Sequence, residues 1–111
     1  MARYMLVYRG EATELSEMSE GQAAEVLGKW QTWMDRVGSA LVDVGAPFGP
    51  GTAVIDDGTS GQALGLSGYS IVEADDLSEA SRLADGHPFL SEGLGNYAID
   101  VFELMPVPFE A

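Results

Sequence analysis

The segment Tyr4-Met5-Leu6-Val7-Tyr8 constrains the fold more than any other in the chain. Aromatic and β-branched residues make it a strand, and alternation puts Tyr4, Leu6 and Tyr8 on one face and Met5 and Val7 on the other. Both faces are apolar, so the strand needs cover on both sides. A chain of 111 residues has material for one domain and one modest core. What covers each side is set by the helices that follow.

Two segments read as helices. Ser19 and Gln22 form a Ser-x-x-Gln capping box, with Met18 placed to staple against Ala23. Apolar residues then recur at Ala23, Val26, Leu27, Trp30, Trp33, Met34, Val37, Leu41 and Val44, which predicts one continuous helical stripe. Gly28 and Gly38 are bending or close-approach points, Gly38 offering an early end, and Gly45 before Ala46-Pro47 is the firm stop. The second helix opens on Asp76 and Glu79, carries Leu77, Ala80, Leu83 and Ala84 on one stripe, and ends at Gly86.

Three further strands are predicted, over Thr52-Ala53-Val54-Ile55, over 68–74 and over 97–104. Asp56-Asp57-Gly58 supplies a turn after the first of these, and 59–66 reads as a loop. Pro106 and Pro108 forbid a longer final ladder, so a domain over 1–104 is followed by a short tail over 105–111. The order is β-α-β-β-α-β. It folds compactly as an α+β, ferredoxin-like, four-stranded antiparallel sheet with both helices on one face. The other face stays open and apolar. An uncovered face of that kind marks an interface, and two such sheets packed together would close a dimeric α/β barrel.

Composition narrows the function classes. The net charge is −13, with five basic residues, no two adjacent, against eighteen acids. Nucleic acids and anionic membranes require clustered Lys and Arg, so neither is an expected partner. With no cysteine and one histidine, no thiolate nucleophile, disulfide, Cys-based metal site or single-chain two-histidine metal site is available, and no metal or cofactor is expected. Met1-Ala2-Arg3 runs directly into a strand with no small-residue cleavage site, and no apolar run approaches membrane-spanning length. A cytoplasmic protein is expected.

Only His87 has an unperturbed pKa near neutrality, so proton-transfer chemistry would pass through it most economically. Its other reading is structural, since a histidine just past a helix end can cap terminal carbonyls. Asp100 sits mid-strand on the face of Phe102, where a carboxylate either lines a wet pocket or faces solvent at an edge. Tyr4, Tyr8 and Tyr69 are strand aromatics able to supply the few polar contacts of an apolar pocket, with Phe89 beside His87. Trp30 and Trp33 lie on the helical stripe and read as core. There is no Gly-x-Gly-x-x-Gly, no phosphate loop, no nucleophile elbow and no calcium loop.

Four segments together resemble the YCII-related family of small dimeric α/β-barrel proteins. They are Tyr4-Met5-Leu6-Val7-Tyr8, Ala40-Leu41-Val42-Asp43-Val44-Gly45-Ala46-Pro47, Gly68-Tyr69-Ser70-Ile71-Val72-Glu73-Ala74, and His87-Pro88-Phe89-Leu90 with Gly93. The resemblance implies the ferredoxin-like fold and the homodimer. Some members carry an Asp-Pro-aromatic turn where this chain has His87-Pro88-Phe89, and a first-helix histidine suspected of pairing with an aspartate as an acid–base dyad. This chain has no histidine there; the matching region is near Gly28-Lys29-Trp30. The leading functional expectation is a barrel that binds a small, largely apolar molecule, with His87 and Asp100 available for lyase- or isomerase-type proton transfer. The alternative is a non-catalytic dimeric accessory or interaction module whose barrel is filled.

Overall fold

The computed structural model describes residues 1–10, 18–90 and 95–108. The expected loop over 9–18 lies largely outside these residues, as does Gly93. Strand β1 (Ala2–Arg9) is followed by helix α1 (Glu20–Val37), β2 (Leu41–Pro47), β3 (Ala53–Val54), β4 (Ser60–Gly61), β5 (Leu66–Ala74), helix α2 (Leu77–Leu83) and β6 (Ala98–Leu104). Four strands form an antiparallel sheet in the order β2-β5-β1-β6, the ferredoxin-like arrangement.

The second sheet strand is not the one read from the sequence. Helix α1 ends at Val37, because Gly38 takes φ +59° and returns its N–H to the Met34 carbonyl. A single 3-10 turn over Gly38–Ala40 follows, and Leu41–Pro47 becomes β2. Leu41 and Val44 continue the helical spacing by coincidence; Val42 and Val44 are β-branched, and pairing with β5 decides their state. Ala53–Val54, expected as that strand, instead pairs with Ser60–Gly61 in a separate hairpin inserted between β2 and β5. Its turn forms as expected, with Asp57 accepting from the Thr59 N–H at 2.9 Å and its hydroxyl at 2.6 Å.

Strand β1 alternates as its sequence requires. Tyr4, Leu6 and Tyr8 are buried beneath the helices, with Val72 and Ala74 of β5, Trp33 and Val37 of α1, and Ala80 of α2. Helix α1 is opened by the full capping box, Ser19 Oγ accepting from the Gln22 N–H at 3.2 Å and Gln22 Oε1 from the Ser19 N–H at 3.1 Å. Helix α2 is opened by Asp76, which accepts from the Glu79 N–H at 2.8 Å.

The opposite face carries Arg3, Met5, Val7 and Arg9 of β1, Tyr69, Ile71 and Glu73 of β5, and Asp100, Phe102 and Leu104 of β6. Among the described residues no helix lies over it. Phe102 is 58% exposed. Its charges pair locally, Arg9 Nε with Asp100 at 2.7 Å and Arg3 Nε with Glu73 at 3.8 Å.

Candidate functional site

His87 enters the core because α2 ends early. Gly86 turns the chain at φ +73°, and the next side chain falls between the helices and the sheet. The ring is 1% exposed. Trp30 and Trp33 of α1 meet it edge-on at 4.5 and 4.4 Å between centroids, and Tyr8 lies tilted at 4.9 Å. Phe89 packs on Tyr8 at 5.3 Å and meets Tyr97 at 5.1 Å.

Both imidazole nitrogens are engaged. Nδ1 accepts from the Phe89 N–H at 3.0 Å, so the ring proton sits on Nε2 and is donated to Tyr8 Oη at 3.1 Å. The tyrosine then donates to Ser70 Oγ at 2.5 Å, and Ser70 donates to the Val44 carbonyl at 2.6 Å. Each hydroxyl accepts once and donates once, which fixes the direction of the whole chain. It runs from the turn after α2, through β1 and β5, to the edge strand β2. Ser70 is fully buried, and no described buried side-chain polar atom is left without a partner. Burial, with a smaller push from Arg36, lowers the His87 pKa from 6.5 to about 4. Burial likewise raises the Tyr8 hydroxyl to about 12, against a small opposing pull from the Ser70 bond. At neutral pH the relay is uncharged.

The capping role open to His87 in the sequence falls to other side chains. Trp33 Nε1 donates to the Leu83 carbonyl at 2.8 Å, and Arg36 donates to the carbonyls of Leu83, at 3.1 Å, and Asp85. The His87 contribution is its backbone N–H, which bonds the Ala84 carbonyl at 3.1 Å. Sequence reasoning missed Ser70, Arg36 and the Val44 carbonyl. Ser70 did leave a signal, as a polar residue in phase with Val72 on the buried face of an apolar strand.

The structure gathers His87, Tyr8 and Phe89 of the residues singled out from the sequence, and leaves the others apart. Tyr4 shares the helix-covered face, its hydroxyl 3.5 Å from Glu103. Asp100 and Tyr69 lie on the open face; Asp100 pairs with Arg9, and Tyr69 stacks on Phe48 at 5.9 Å. His87 and Asp100 are thus on opposite sides of the sheet. Among the described residues no group of three or more His, Asp or Glu is arranged to hold a metal ion, and no helix is long and apolar enough to cross a membrane.

The model of the YCII-related domain matches residues 2–103, from the first strand to the last. The chain belongs to the YCII-related family. Among curated proteins, none matches it closely enough to count as a relative. Family membership agrees with the α+β architecture and with a unit that takes in all four sheet strands of this YCII-related chain.

Proposed function

We propose that this YCII-related chain is a self-associating module whose working surface is the open sheet face, with a second copy as its partner. The observation that carries this is the face itself: Met5, Val7, Tyr69, Ile71, Phe102 and Leu104, with no helix over them among the described residues. Area supports it. A compact monomer of this mass exposes roughly 5,900 Å², whereas this chain exposes 7854 Å². Its radius of gyration is 15.7 Å, against about 13 Å for a compact domain of its length. The excess surface, to which the inserted hairpin and the segment after β6 also contribute, leaves room for the roughly 800 Å² per partner of a standard interface.

Charge supports a like partner as well. On β1, β5 and β6 the open face balances Arg3 and Arg9 against Glu73 and Asp100, and β2 adds only Asp43 opposite Ile71, so most of the net −13 resides elsewhere. Two strongly acidic chains can approach there with least repulsion. His87 supports the non-catalytic form of this reading, because its ring is enclosed, neutral and bonded at both nitrogens. A small-molecule reading rests on the same face, where the Arg9–Asp100 pair sits beside apolar residues and would give a largely apolar guest its polar contact.

Phe102→Glu tests the proposal. The ring is exposed in the single chain, so its folding stability should change by less than about 0.5 kcal/mol, while a buried carboxylate should split the dimer. Sedimentation should give a monomer with an unchanged far-ultraviolet circular dichroism spectrum. A variant that associates as the wild type does would exclude this face.

A further inference from the structure

Among the described residues, two other uncharged apolar surfaces stand out in this acidic chain. One is a groove of about 580 Å³ beside the inserted hairpin, lined by Pro47, Phe48, Pro50, Ala53, Leu64 and Leu66 among others. Phe48 is 46% and Leu64 82% exposed. The other is the segment after β6, Met105-Pro106-Val107-Pro108, where Met105 is 70% and Val107 62% exposed. Neither Leu104–Pro108 nor Pro47–Ile55 contains a charged residue.

Their chemistry matches. Pro106 and Pro108 lack N–H donors, so an extended tail can pair along one side only and cannot become an interior strand of a sheet. Prolines also hold such a segment extended before it binds, which lowers the entropy lost on docking. Extended proline-containing segments dock in grooves lined by aromatic and prolyl side chains, and Phe48, Pro47 and Pro50 form such a lining.

Topology decides whose groove the tail can reach. The tail leaves the sheet at Leu104, opposite Arg3, on the β6 edge. The groove begins at Pro47, opposite Gly68, which in turn pairs with Tyr8, on the β2 edge. Three strand spacings and five residues of β1 separate them, about 14 Å across and about 17 Å along, or roughly 22 Å on the diagonal. Val107, three residues past Leu104, reaches at most about 11 Å. The tail and the groove of one chain therefore stand at diagonally opposite corners of its sheet. A two-fold axis between two stacked sheets, lying along the other diagonal, exchanges those corners. It sets each tail beside the partner's groove in both directions at once, with the two sets of strands crossing near a right angle, a recognised sheet-on-sheet geometry.

We propose that the Met105–Pro108 segment of each chain docks in the Phe48–Leu64 groove of a second copy, clasping the dimer from two corners. This rests on self-association through the open face, and it adds the symmetry axis and a reciprocal tail contact. The absence of cysteine makes it directly testable. Leu64→Cys/Val107→Cys is prepared as one full-length double variant and exposed to a mild oxidant at micromolar concentration. A covalent dimer on non-reducing gels is expected. It should form at least about a hundredfold faster than from the control Leu27→Cys/Val107→Cys, whose first site is on the helix side of the sheet. That ratio reflects millimolar effective concentration in the dimer against micromolar in bulk.

An internal disulfide that leaves the chain monomeric on the gel would overturn the exchange. So would free thiols, or linking no faster than the control, in a protein whose light-scattering mass is still double. A monomer mass before oxidation would instead overturn the self-association on which the exchange rests.

Discussion

His87 carries its proton on Nε2 because the Phe89 N–H already occupies Nδ1. A protonated ring would turn that second bond into two donors facing each other, in a site that excludes water. The consequence is a stability that depends on pH. With the pKa at about 4 when folded and 6.5 when exposed, the unfolded chain takes up the proton first as the solution is acidified. The contribution of the neutral ring is complete above about pH 6.5. It falls away as pH drops toward 4, by about 3 kcal/mol in all. Urea denaturation of the wild type and of His87→Gln at pH 7, 5.5 and 4 should show the wild type losing that much more than the variant, whose amide does not titrate. Parallel losses would place the acid sensitivity elsewhere. His87 was legible in the sequence as a singular residue, but its role was not. Its partners come from β1, β5 and α1, and which hydroxyl meets which nitrogen depends on the register Leu6↔Ser70 and Tyr8↔Gly68, which no single segment encodes.

The edge strand β2 depends on a different residue. Gly45 takes φ +75°, and a Cβ there would lie 1.8 Å from the Tyr69 carbonyl oxygen, so both backbone conformation and space demand glycine. The pairing of β2 with β5 shifts register across it, between Asp43 and Ala46, and the Val44 carbonyl in that stretch receives the Ser70 hydroxyl. Gly45→Ala should therefore cost more than about 2 kcal/mol. Gly28→Ala, in the middle of α1 with open space around it, should stabilise by up to about 1 kcal/mol. Chemical denaturation of the two variants checks both signs; equal effects would mean that β2 tolerates a different path. The sequence marks Gly45 as a stop, and the chain does bend there. It offers Gly38 as an early end, where α1 does stop, but not the strand that follows, because Leu41 and Val44 satisfy helical spacing while β5 supplies the pairing that wins. The capping box of α1, the Asp76 cap of α2 and the alternation of β1 were legible because each is settled within a few neighbouring residues.

At the scale of the whole molecule, a sheet covered on one face and a surface well above that of a compact monomer are what motivate the proposed dimer. The aromatic enclosure of His87 forms within one chain, whereas in the proposed dimer the open face is covered by a second copy. The open apolar face was visible in the two-sided apolar pattern of Tyr4–Tyr8; the pairing of charge on that face was not, because Arg9 and Asp100 are brought together only by β1–β6 pairing. Light scattering coupled to size exclusion tests the central claim most directly, on the wild-type chain at neutral pH and moderate salt. At micromolar concentration the mass should be twice the chain's 11.8 kDa. A mass of one chain, constant across that range, would contradict the account.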